Sequence, residues 1–209
     1  MMEVSIIRVT WIEIKGRPFM DKFDMELKKV LMKRLPQSTE YGWSRRIEGA
    51  LERSESSAPH EDVAIIVDSE IGVDVFTNIS DKLYKFISKD EFFKKSHYRI
   101  LLWKQDGLAL ISPKRISNAS HVKNYLDAVE IGSGNSTDWN EFWQFYKPHK
   151  KAGQVFLITS QAKVERMSES KAIGIKNLVI VYEGDESSSV KKVIMSIPCI
   201  AYVSKASTG

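Results

Sequence analysis

The chain has 209 residues, with 31 Lys plus Arg against 27 Asp plus Glu and a formal net charge of +4. Hydrophobic residues at 43% and charged residues at 28% exclude disordered, collagen-like and coiled-coil chains. A globular protein of this length buries enough surface to fold without a metal or a disulfide, and its single cysteine, Cys199, excludes an internal disulfide.

Residues 3–14 are rich in Ile, Val and Trp and read as a strand. From Asp21 to Leu35, the residues Phe23, Leu27, Val30, Leu31 and Leu35 fall at helical spacing, and Pro36 ends the helix. Trp43 to Arg53 reads as a second helix, with Trp43, Ile47 and Leu51 on one face, and polar Ser54 to Glu61 reads as a linker. Residues 1–60 are therefore expected to be a strand and helical extension packed on a core formed by 61–209. The core opens with Asp62-Val63-Ala64-Ile65-Ile66-Val67-Asp68, a continuous apolar run of the kind buried on both faces of a parallel sheet. Phe76, Ile79, Leu83 and Phe86 then predict a helix within Val73 to Ser88.

Tyr98 to Lys104 reads as the next strand, and the Asp106-Gly107 turn predicts an antiparallel partner over Leu108 to Ser112. Val122 to Val129 reads as a helix, Gly132 to Thr137 as a flexible loop, and Asp138 starts an aromatic helix carrying Trp139, Phe142, Trp143 and Tyr146. Strands follow at Val155 to Thr159, Leu178 to Tyr182 and Cys199 to Val203, separated by helices over Ala162 to Lys171 and Ser188 to Ser196. Strands alternating with helices give an α/β class: a doubly wound, mostly parallel sheet with one antiparallel hairpin strand.

Ligands of such sheets sit outside the carboxyl ends of the strands. Three polar loops fall there: Asp68-Ser69-Glu70-Ile71-Gly72, Gly132 to Asp138, and Thr159-Ser160-Gln161. Their carboxylates and hydroxyls are the oxygens that a hard cation takes. Each has a plainer reading: Asp68 and Asp138 as helix caps, Thr159 and Ser160 as turn residues. The aromatic run reads as core rather than as a base-stacking platform, as do Trp11, Trp43 and Trp103. His60, His97, His121 and His149 show no metal spacing, and Cys199 in an apolar strand reads as inert.

The order of elements and these three loops together resemble the von Willebrand factor type A (VWA) domain, over roughly Glu61 to Ser204. In that family the first strand ends in Asp-x-Ser-x-Ser, a Gly-rich loop carries a metal-binding Thr, and the fourth strand ends in Thr-Asp-Gly. Asp68 and Thr137 match, whereas Glu70 and Gly72 replace the two serines and Ser160 replaces the acid. The resemblance implies a degenerate metal-ion-dependent adhesion site with Asp68, Glu70, Thr137, Asp138 and Ser160 as ligands of Mg²⁺. It implies a non-enzymatic protein-interaction module whose partner is another protein. Asp68 and Glu70 would then be an acidic pair that repels itself without a cation.

Two other readings stand beside it. Asp68, Glu70 and Asp138 could gather Mg²⁺ as in PIN-like nucleases. The basic clusters Lys28-Lys29, Lys33-Arg34, Arg45-Arg46 and Lys147 to Lys151, with a pI of 9.0, could bind nucleic acid, although solvated surface is the simpler account. Glu3 and Arg8 interrupt any signal-peptide core, and the longest mostly apolar uncharged stretch, Val193 to Val203, falls short of the about 18 residues of a membrane span. The expectation is a cytoplasmic protein with no membrane contact.

Overall fold

The apolar run after Asp62 lies at the middle of a sheet, where water reaches neither face. A computed structural model describes residues 22–33, 62–113, 115–132, 134–147, 153–167, 178–184 and 200–203. In it, strand β1 (Asp62–Asp68) is buried from Val63 onward. It pairs in parallel with β2 (His97–Lys104) on one side and with β4 (Gln154–Ile158) on the other. Beyond β4 follow β5 (Leu178–Glu183) and β6 (Ile200–Val203), both parallel. On the far side β3 (Gly107–Leu110) returns antiparallel to β2, so the order is β3-β2-β1-β4-β5-β6. Gly107, paired with Lys104 in the hairpin, has φ +136°, a conformation that only glycine adopts without strain.

Alternation along each strand sorts the core into two layers. Val63, Ile65 and Val67, with Ile100, Leu102, Phe156 and Val179, face α2 (Val73–Lys89), α4 (Ala119–Asp127) and Phe93 of the single-turn α3 (Glu91–Lys94). Phe23, Leu27 and Val30 of α1 (Lys22–Lys33) are buried in the same layer. Ala64 and Ile66, with Leu101, Trp103, Val155 and Leu157, face α5 (Trp139–Tyr146) and α6 (Gln161–Arg166). Each such side chain contributes about 2 kcal/mol by leaving water, which is why the strands read as continuous apolar runs rather than as alternating ones.

The elements agree in kind with the sequence reading, and their ends differ where a cap sets them. Helix α4 starts at Ala119 rather than Val122, because Asn118 Oδ1 accepts the Ser120 N–H at 3.0 Å and closes the first turn. Helix α3 escapes the sequence reading because one turn is too short to show a period. The strand expected over 3–14, the helix Trp43–Arg53, the linker Ser54–Glu61, the helix Ser188–Ser196 and Cys199 lie outside the described residues. No helix among the described residues is long and apolar enough to cross a membrane.

The chain leaves β1 to one side, toward β2, and later returns on the other side of β1 as β4. Connections that diverge in this way open a crevice at the carboxyl ends of the two strands. All three polar loops reach that edge.

Candidate functional site

Asp68 is the last residue of β1 and is fully buried. Its side chain does not cap α2; the residue at that cap is Gly72, which makes no side-chain bond. Instead Oδ1 accepts the backbone N–H of Glu70 at 3.1 Å, and Oδ2 accepts the hydroxyl of Thr159 at 2.6 Å. Thr159 is the residue after β4 and is itself fully buried. The pair therefore stitches the two strands that flank the crevice at the point where their ladder ends.

Glu70 turns away from Asp68. Its Oε1 accepts the backbone N–H of Ser136 at 3.0 Å, and its Oε2 accepts the ammonium of Lys163 at 3.1 Å. The same ammonium donates to Ser136 Oγ at 2.8 Å and lies 4.7 Å from the ring centroid of Trp103. Lys163 is only 5% exposed. Lysines this deep are rare without a partner, and here the partners come from two separate loops. The two acids thus do not face each other as a repelling pair: each has its own donors.

The other expected residues serve structure nearby. Thr137, buried in the Gly-rich loop, accepts the indole N–H of Trp103 at 2.9 Å. Asp138 caps α5 by accepting the Glu141 N–H at 3.0 Å, and Ser160 caps α6 by accepting the Lys163 N–H at 3.3 Å. Among the described residues, no group of three His, Cys, Asp or Glu side chains stands close enough to hold a metal ion. The loops converge as expected, but the oxygens named for the ion already accept hydrogen bonds from the protein.

The sequence reading names neither Lys163 nor Ser136 as a site residue, and it places Trp103 in the core, where the structure buries it. Trp103, next to last in β2, lies beside Asp68 in register, and its backbone carbonyl accepts the Ser69 N–H at 3.1 Å. Its ring packs against Trp139 at 5.2 Å and Phe142 at 4.5 Å. Trp139 donates its indole N–H to the Lys163 carbonyl at 2.8 Å, which fixes the first turn of α6 against α5. So the aromatic face of α5 is core, as read, and it also sets the height of the lysine. Beside the site lies a cleft of about 620 Å³, lined by Ser69, Lys104, Gln105, Asp106, Glu130 and Asn135 among others. The Ser69 hydroxyl is buried without a hydrogen-bond partner among the described residues.

Burial raises the pKa of Glu70, yet the Ser136 N–H and the Lys163 ammonium outweigh it and hold the carboxyl below its ordinary value of 4.5. A carboxyl lowered on folding contributes stability above its unfolded value and loses it as pH falls through its folded value. Wild type should therefore lose melting temperature below about pH 4.5 more steeply than Glu70→Gln. Parallel curves of melting temperature against pH would show that the pair adds nothing.

No protein-family profile matches the chain, and no curated protein does. Among solved structures, the chain is similar to the VWA domain of SpRpn10, with 13% identity and a TM-score of 0.40 over 69% of this chain and 87% of that one. It is also similar to a von Willebrand factor type A protein from Catenulispora acidiphila, with 12% identity and a TM-score of 0.39 over 70% of this chain and 39% of that one.

Proposed function

We propose that the chain is a non-enzymatic, VWA-like protein-interaction module that receives its partner at the carboxyl edge of the sheet. What supports this reading is the joining of three loops into one polar edge whose charged groups are occupied with one another. Lys163 donates to both Glu70 and Ser136, which ties the turn after β1 to the loop before α5. Asp138, which a two-carboxylate nuclease site would need, is turned to its own helix. The adjoining cleft carries both signs of charge, with Lys104 against Asp106 and Glu130, and such mixed polar surfaces suit the rim of a protein interface.

The test is capture from a lysate of the native host on the immobilised full chain, with and without EDTA. Wild type is compared with Lys104→Glu/Asn135→Arg, which changes two exposed side chains of the cleft. A protein retained by wild type and lost by the double variant, at an unchanged melting temperature, is the expected result. Equal retention by both would remove the cleft as the contact surface. Capture of nucleic acid with a steep salt dependence would replace this reading by the basic-protein one.

A further inference from the structure

We infer that the Lys163 ammonium does the joining of loops that the resemblance gives to a divalent ion, so that this edge is held by a built-in organic cation and does not need Mg²⁺. The inference rests on the VWA-like reading of the edge.

A metal ion at such a site joins loops by taking one oxygen from each. Lys163 does the same from α6: it reaches a carboxylate in the turn after β1 and a hydroxyl in the loop before α5. An ammonium has three donors and no acceptor, and two of the three are placed on these oxygens. Its remaining surroundings are wrong for a hard divalent ion. Mg²⁺ keeps several waters in an octahedral shell, and the face of Trp103 at 4.7 Å offers none. The same face attracts an ammonium that burial has stripped of water, through its ring quadrupole and within the roughly 6 Å over which that attraction acts. The other oxygens are spent as well. Asp68 holds Thr159 and the Glu70 N–H, and Thr137 holds Trp103. Replacement of the family's serine by Glu70 belongs to the same arrangement, because a carboxylate pairs with an ammonium more strongly than a hydroxyl does.

The experiment is thermal melting of the full chain in EDTA, in millimolar MgCl₂ and in millimolar MnCl₂. Wild type is expected to melt at the same temperature in all three. Lys163→Met keeps an apolar stem on Trp103 and removes the charge. It should melt about 5 °C lower in EDTA, and neither ion should restore the loss, because Asp68 and Thr137 stay engaged and the Trp103 face stays apolar. Stabilisation of wild type by either ion overturns the inference. So does a Lys163→Met protein that melts with wild type in EDTA, since the ammonium would then hold nothing together.

Should Lys163→Met fail to fold, reductive methylation of wild-type lysines in EDTA decides the matter. Protection of Lys163 relative to the exposed Lys28 and Lys29 supports the inference, and equal modification overturns it. Neither readout involves a partner, so failure here is distinguishable from failure of the interaction reading.

Discussion

Trp103→Ala should lower stability by about 4 kcal/mol, the usual cost of removing a buried large aromatic side chain. For a chain of this size that is a fall of roughly 12 °C in melting temperature. The residue is fully buried near the carboxyl end of β2. Its ring packs on Trp139 and Phe142, its indole N–H is bonded to Thr137, and Lys163 lies over its face. Alanine would leave a cavity, an unpaired Thr137 oxygen and an unsupported ammonium together. Trp103→Phe keeps a ring and loses the N–H, so it should cost about 1–2 kcal/mol. Denaturant melts followed by circular dichroism measure both. A loss below about 2 kcal/mol for the alanine variant would show that the aromatic layer relaxes around the site rather than fixing it.

Asp68→Ala should lower stability by about 3 kcal/mol, because it strips two hydrogen bonds from a fully buried carboxylate and leaves the Thr159 hydroxyl and the Glu70 N–H without their acceptor. Asp68→Asn should lose less. Its carbonyl still accepts from Glu70, and Thr159 can reverse its hydroxyl to accept from the amide. The order wild type, Asn, Ala in melting temperature is the expected result. The opposite outcome carries information too. If Asp68→Ala melts at or above wild type, the buried acid is a strained group kept for a ligand, and the repulsion expected for an acidic pair holds despite its hydrogen bonds.

The main chain of this fold was legible from residues; the wiring of its edge was not. The run Val63 to Val67 announced a central strand because both of its faces are covered, and Asp106-Gly107 announced the hairpin because Gly107 takes a backbone conformation that other residues avoid. Asp138 before an aromatic helix was legible as a cap for the same local reason. Asp68 was not, because its partners are decided elsewhere: Thr159 comes from a different strand, and nothing near Asp68 in sequence signals it. Lys163 was missed because a lysine in a short helix reads as solvated. The available signal was its place three residues after Ser160 and directly before Val164, on a turn that must pack inward. Whether a lysine there points to water or to a carboxylate depends on Glu70 and Ser136, in loops distant in sequence.

The bond between Asp68 and Thr159 joins residues 91 apart in the chain, whereas the parallel neighbours β1 and β2 follow one another in sequence, joined by one crossover that carries α2 and α3. Closing the longer loop costs more chain entropy before any contact rewards it. The β1–β2–β3 portion can therefore assemble first, and the polar edge closes only when β4 docks on the exposed flank of β1. Contacts made after the folding barrier change the rate of falling apart rather than the rate of assembly. Most of the destabilisation of Asp68→Ala should accordingly appear as faster unfolding. The carboxyl edge thus acts as a latch on a molecule whose other half is already in place.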